Sequence, residues 1–397
     1  TSNKFTTNPG TVWAQNLGAS YGVSVAPGFG VNPLTAQFAP TGGNNYAIGG
    51  ARVSQQPGVF PASTAIAANI TPLSSQVTTN LGQTGGAANP SALYAVWIGA
   101  NDVLFQTGAV GAGLPLTAAA GNVTTAARDA VAQIARLQAA GARSLVVIGL
   151  PDIGATPFAA SSGAAATQLL TSFSGAYNDA LKQGLVGAGL TNVAYFDPRR
   201  LLADMLARPA SYGITNTTIP ACGASSSLGC GPAQQIPNSS AYLFADGVHP
   251  TAAAHRIISD WIYGTLEAPG RAVAPLSILP LGRLGAQWRA IDNRTRDFQT
   301  AATPPARGLF VTGDYAPSKL DATASAAGSS GRTNSATVGF DRAYGTASAG
   351  VALGVSDGDF SLADSGGTIK YTEMIVSAFG SAKLGNGYVD GILSYAQ

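Results

Sequence analysis

The sequence predicts an α/β domain built on a parallel sheet, followed by a linker helix and the first antiparallel strands of a barrel or sandwich. Three observations carry that expectation. Short apolar runs alternate with helical periodicities over residues 1 to about 268. A Pro/Gly-rich stretch follows Leu266. From Gly308 onward the pattern becomes two-residue alternation, broken by Gly, Asp, Asn and Ser.

The strand-like runs are Leu93–Ile98, Ser144–Leu150 and Val193–Phe196. Between the first two, Val123, Ala127, Val131, Ile134 and Leu137 recur at helical spacing within Ala118–Ala140, and a second helical pattern covers about Gly163–Gly184. Apolar strands alternating with helices indicate a parallel sheet covered on both faces. Ligands bind such sheets beyond the carboxyl ends of the strands, where GAND (Gly99–Asp102) and LPDIG (Leu150–Gly154) fall. EAPGRAVAP, beginning at Glu267, has the composition of a linker, and Ser277–Thr300 can form one helix containing Trp288, Ile291 and Phe298. Beyond it, Val351, Leu353 and Val355 alternate with small residues, as do Val389, Gly391, Leu393 and Tyr395. Antiparallel strands with tight turns follow, in a sandwich or in a transmembrane barrel.

Charged residues make up 10% of the 397, against roughly 25% in an average soluble domain. The surface is therefore polar but largely uncharged, as in many secreted and outer-surface bacterial proteins. A net charge of +2 with scattered Lys and Arg gives no nucleic-acid footprint. No apolar run approaches the ~18–20 residues of a spanning helix, and no signal peptide is present. The two cysteines, Cys222 and Cys230, share one Gly/Ser loop whose spacing suits a small disulfide. A zinc half-site is the rival, but there is no second ligand pair and there are only two histidines. No metal or organic cofactor is implied.

FADGVHPTAAAHRIISDWI is the stretch richest in chemistry. Pro250 suits the first turn of a helix, which puts His249 at or beside its N-cap. Asp246, three residues earlier in a Gly-containing loop, is within reach of the imidazole Nδ1. It would fix the tautomer and leave Nε2 to take a proton from a hydroxyl. A lone D-x-x-H is more often a surface turn with a capping histidine. His255, the other histidine, lies inside the helix among Ala and Arg and is a poor candidate for the base. In WIGAND, Asn101 places an amide donor at the carboxyl edge of the sheet, where it can hold an oxyanion or merely turn the chain. GGNNYAIGGARV ends in paired glycines, where the Gly50 N–H can approach a substrate, although such pairs are more often a plain turn.

Together these elements resemble the GDSL or SGNH hydrolase family, whose blocks run Gly-Asp-Ser-Leu, a glycine, Gly-x-Asn-Asp, then Asp-x-x-His. NNYAIGG, GAND and DGVHP occur here in that order. The resemblance is closer still to autotransporter esterases of Gram-negative outer membranes, which carry such a domain, a linking helix and a 12-stranded β-barrel. It covers nearly the whole chain, and the Cys222/Cys230 loop before the catalytic Asp also looks like that subfamily. It implies an SGNH-type three-layer passenger over residues 1–268, a linker and helix over 269–305 and a partial barrel over 306–397. It implies His249 as general base, Asp246 as its orienting partner, Gly50 and Asn101 in the oxyanion hole, and Gly99 and Asp102 shaping the GAND turn. The partners it implies are an ester or lipid substrate and the outer membrane, with the catalytic domain at the cell surface or secreted.

No Gly-Asp-Ser-Leu occurs in the sequence. In the family that block opens the first strand, a central one, and TSNKFTTNPGTVWAQNLG resembles the stretch just after it. The nucleophile is therefore expected upstream of Thr1, and without it no acyl-enzyme forms. Two G-x-S-x-G matches exist, at Ser20 and Ser356. That motif acts only at a strand-to-helix elbow, whereas Ser20 follows a helical pattern and Ser356 falls in a presumed turn between strands. A phospholipase or acyltransferase on the same scaffold is the alternative enzyme. A surface protein that has lost the serine is the non-enzymatic alternative.

Overall fold

The computed structural model describes residues 4–32, 35–59, 64–300, 308–322, 328–363 and 367–397, with the backbone alone for 269–283. The chain divides into two compact units, Thr1–Tyr263 and Gly264–Gln397.

The first unit opens with α1 (Trp13–Ser20) and a short antiparallel pair, β1 (Phe29–Val31) and β2 (Phe38–Pro40). Helices α2 (Thr64–Asn69) and α3 (Leu73–Gln83) precede β3 (Leu93–Trp97), α4 (Ala100–Gly111), α5 (Leu116–Ala139) and β4 (Ser144–Ile148). Then come α6 (Pro157–Ser161), α7 (Ala164–Gly187), β5 (Val193–Phe196) and α8 (Pro198–Ala207). Strands β3, β4 and β5 form a parallel sheet in that order, with Val96 opposite Val147 and Ile148 opposite Phe196.

Strand alternation sorts the sheet's side chains into two layers. Leu145 and Val147 join one core with Val123, Ala127, Ile134, Leu170, Phe173, Tyr177 and Leu181 from α5 and α7. Val146 and Ile148, just as buried, point to the other face. There Trp13 meets Trp97 edge-on at 5.6 Å, and Trp261 meets Phe196 at 5.1 Å. The result is the expected three-layer α/β arrangement. The apolar stripe of α5 is built largely from alanine (Ala119, Ala126, Ala127 and Ala130 are all buried), which lets the helices pack closely.

Two details differ from the sequence reading. Pro250 does not start the last helix. It pairs with Phe244 in an isolated bridge, and α9 begins at Ala252, capped by Thr251, whose hydroxyl accepts the Ala254 N–H at 3.2 Å. A threonine can satisfy an orphan amide of the first turn and a proline ring cannot, so the cap falls one residue after Pro250. The expected linker at EAPGRAVAP is also absent as a break, because α9 runs as one helix over Ala252–Thr300.

In the second unit, β6 (Leu309–Leu320), β7 (Ser329–Tyr344), β8 (Ala347–Leu362), β9 (Thr368–Leu384) and β10 (Gly387–Ala396) form one antiparallel meander. The burial pattern inverts that of a water-soluble sheet. Val338, Phe340, Val351, Leu353, Val355 and Val376 are exposed, while Thr337, Asp341, Ser348, Ser356, Ser377 and Ser381 are buried. The C-terminal part of α9 covers the polar face: Gln287 donates to Ser377 Oγ at 2.8 Å, and Arg294 pairs with Asp341 at 3.1 Å. An apolar outer face over a polar interior is the surface chemistry of a transmembrane barrel wall.

Candidate active site

The DGVH turn is built by its own aspartate. Asp246 Oδ1 accepts the backbone N–H groups of Val248 at 3.0 Å and His249 at 2.8 Å, folding the chain back so that the ring lies over the carboxylate. His249 Nδ1 is then 2.9 Å from both carboxylate oxygens. A second backbone donor comes from far away in sequence: the Ser227 N–H reaches Asp246 Oδ2 at 2.8 Å. Burial acts to raise the Asp246 carboxyl, but the hydrogen bond and charge of His249, a hydrogen bond from Ser227 and the His249 amide outweigh it. They hold the carboxyl well below the usual carboxylate range. The His249 side chain is 37% exposed against 12% for Asp246, so the pair has a buried acceptor and an accessible ring. Two further bonds fix the turn: Ala245 N–H to His249 O at 2.7 Å, and Phe158 N–H, at the start of α6, to Gly247 O at 2.9 Å.

The GAND segment forms the start of α4. Gly99 is its N-cap, with φ +110°, and a Cβ there would lie 2.2 Å from the ring of fully buried Tyr177, so only glycine fits. Asn101 and Asp102 follow in the first turn. Asn101 Nδ2 donates to the Ala51 carbonyl at 2.9 Å, which ties it beside Gly50. Asp102 is 1% exposed and accepts from Arg52 Nε at 3.2 Å and from the Val53 N–H at 3.0 Å. Arg52 in turn lies 4.1 Å from the centroid of Phe105. Burial pushes the Asp102 carboxyl up, against the opposing pull of Arg52 and the Val53 amide.

Gly50 has φ +82°, and a Cβ there would lie 2.3 Å from the Val59 carbonyl oxygen. Its own carbonyl accepts the Val59 N–H at 2.8 Å. Among the described residues, the Gly50 N–H has no acceptor. Phe5 links this segment to the dyad. Its ring lies 4.6 Å from that of His249, and a Cβ at Gly49 would come within 2.0 Å of it. Asp246, His249, Gly50 and Asn101 therefore belong to one connected set of contacts.

His255, the fourth residue of α9, is buried, with Nε2 3.3 Å from the Phe5 carbonyl. Burial lowers its pKa to about 4, opposed by that carbonyl and aided by His249. Cys222 and Cys230 are joined in a disulfide. Of the two G-x-S-x-G serines, Ser20 ends α1 and bonds Asn16 O at 3.2 Å, while Ser356 is buried mid-strand in β8 beside Ser335. Ser356 thus lies within a strand, where the sequence suggested a turn. Neither serine stands at a strand-to-helix elbow.

Sequence reasoning missed Phe5, Arg52, Ser227 and Tyr177. Arg52 follows the glycine pair directly and could have been suspected as the counter-ion of Asp102. Nothing in the local sequence marks the other three.

This chain belongs to the GDSL-like lipase/acylhydrolase family, which it matches over residues 3–262. Residues 309–397 match the autotransporter beta-domain, and the pairing of these two domains assigns the chain to the bacterial outer membrane. Among particular proteins it is similar to "Esterase EstA" of Pseudomonas aeruginosa, at 29% identity over 325 residues, covering 73% of this chain and 47% of that protein. The esterase of the same name from Pseudomonas putida matches equally. A GDSL esterase/lipase of Arabidopsis thaliana is 30% identical over 168 residues, covering 38% of this chain and 44% of that protein. The chain spans about half the length of these relatives.

Proposed function

We propose that this protein is a carboxylic ester hydrolase in which Asp246 orients His249 and His249 serves as the general base for a serine. That serine would come from a Gly-Asp-Ser-Leu block N-terminal to Thr1, since none occurs in the 397 residues. The observation that carries the reading is the pair of 2.9 Å contacts from both Asp246 oxygens to His249 Nδ1. That bond selects the tautomer whose Nε2 is an acceptor.

In the reaction, the serine oxygen attacks the acyl carbon while Nε2 takes its proton. The proton is returned to the departing alcohol, and water deacylates the enzyme through the same base. Gly50 N–H and the second Asn101 Nδ2 hydrogen stabilise the oxyanion. One hydrogen of that amide is spent on Ala51, which aims the other. Gly99 and Asp102 hold the GAND turn in place. By this reading the passenger covers residues 1–268, the linker and helix 269–305, and the partial barrel 306–397, which displays the esterase on the outer surface. The substrate class is a carboxylic or lipid ester.

The test is hydrolysis of short p-nitrophenyl esters by the protein carrying that serine block, beside its His249→Ala variant. Loss of at least about 10³-fold in kcat is expected. Undiminished hydrolysis by the variant refutes the assignment.

A further inference from the structure

The two oxygens of the Asp246 carboxylate are held in different ways. Oδ1 takes its two backbone donors from its own turn. Oδ2 has one backbone donor, the Ser227 N–H, 19 residues earlier in sequence. That amide starts the short turn Ser227–Gly229 inside the loop closed by Cys222 and Cys230. The disulfide is buried against Ala245, the neighbour of Asp246, and the Cys222 N–H bonds the Ala245 carbonyl at 2.8 Å. The loop is also fastened from outside. Asn8 Nδ2 donates to the Ser227 carbonyl at 2.9 Å, and the Asn8 N–H to the Cys230 carbonyl at 2.8 Å. The Ser227 hydroxyl itself is buried and makes no hydrogen bond among the described residues, so the amide, not the side chain, meets the carboxylate.

We propose that the Ser227 amide, clamped by the Cys222–Cys230 loop, is a positioning group for the Asp246–His249 pair and sets the pH range in which that pair works. The inference rests on the catalytic reading given above. An N–H dipole aimed at Oδ2 fixes the plane of the carboxylate and damps its field. Without it the carboxylate turns more freely and the coupled pair binds its proton more tightly, so activity is lost at a higher pH as the solution is acidified.

Titratable groups on the neighbouring segments are neutral or engaged with other partners. His255 is held neutral by burial. Lys4, on the N-terminal segment, directs Nζ to the Pro9 carbonyl at 3.4 Å. Asp152, near the start of α6, is engaged by Gly154 and Thr171 at 2.8 Å each.

Backbone amides can be deleted only with proline, and this position suits one. Ser227 is the first residue of its turn, and Ser226 already has the extended geometry, φ −60° and ψ 140°, that precedes proline. In the serine-bearing enzyme, Ser227→Pro should lower kcat about tenfold with KM unchanged, the loss of one hydrogen bond to a charged group. It should move the acid limb of the kcat/KM profile upward by about half a pH unit or more. Ser227→Ala, which keeps the N–H, should retain the wild-type limb. Reducing the disulfide in the unmutated enzyme, with both thiols verified by labelling, should move the limb the same way.

A folded Ser227→Pro variant with the wild-type acid limb overturns the proposal. If that variant does not fold, an unmoved limb in the reduced enzyme overturns it instead. An inactive His249→Ala beside an unmoved Ser227→Pro refutes this inference alone, whereas an active His249→Ala refutes the catalytic reading on which it rests.

Discussion

Replacing Arg52 by methionine should expose how much the GAND turn depends on a single buried ion pair. Asp102 is 1% exposed, and its carboxylate has two partners, Arg52 Nε at 3.2 Å and the Val53 N–H at 3.0 Å. Among the described residues, Arg52→Met removes the countercharge of this carboxylate and leaves its backbone donors, the Val53 N–H among them. Stripping one partner from a buried pair costs about 3–5 kcal/mol. A ceiling follows from proton uptake, because the stranded carboxylate can always neutralise itself. From an ordinary pKa of 3.8 to pH 7, at about 1.36 kcal/mol per pH unit, that ceiling is about 4 kcal/mol. At pH 5 the same arithmetic gives about 1.6 kcal/mol.

The sign is fixed by the folded-state carboxyl, which the mutation raises further above its unfolded value. The penalty is therefore absent below the unfolded pKa and grows as pH rises above it. Urea unfolding followed by tryptophan fluorescence, at pH 7 and pH 5, measures both values. Arg52→Met combined with Asp102→Asn should recover most of the loss at pH 7, since an amide oxygen still accepts the Val53 N–H. A single mutant within about 0.5 kcal/mol of wild type, or a deficit that does not shrink on acidification, would refute the reasoning.

Further outcomes are expected. Asn101→Ala in the serine-bearing enzyme should lower kcat by about 10²–10³-fold with little change in KM, read from ester hydrolysis; a tenfold or smaller effect would remove it from the oxyanion hole. Gly99→Ala should destabilise the passenger by about 2 kcal/mol or more, since φ +110° and the Tyr177 ring at 2.2 Å both exclude a Cβ; a wild-type unfolding midpoint would contradict this. The Cys222–Cys230 disulfide closes a nine-residue loop, so its reduction should cost about 2–3 kcal/mol, measured by unfolding with and without reductant.

Much of the architecture was legible in the sequence because it is periodic. LYAVW, SLVVI and VAYF are too short and too apolar for surface helices, and the stripe of Val123, Ala127, Val131, Ile134 and Leu137 leaves one reading for α5. The alternation of Val351, Leu353 and Val355 likewise fixed a strand, while its environment was open: only the meander, with serines and Asp341 turned inward, shows the apolar face to be the outer one. Helix ends were less legible, since Thr251 and Pro250 both carry start signals and the bridge to Phe244 decided between them.

The candidate site divides along the same line. Asp246 and His249 are three residues apart, so their contact is a property of one turn, and the sequence alone could propose it. The groups around them lie far apart in the chain: Ser227 is 19 residues from Asp246, Ala51 is 50 residues from Asn101, and Phe5 reaches both His249 and Gly49. Those are backbone amides, a carbonyl and a ring with no local signature, because any residue type has an amide to offer. Sequence determined which residues are candidates to carry the charge and the proton; tertiary structure decided which backbone groups hold them, since only folding brings distant peptide units within 3 Å of a buried carboxylate.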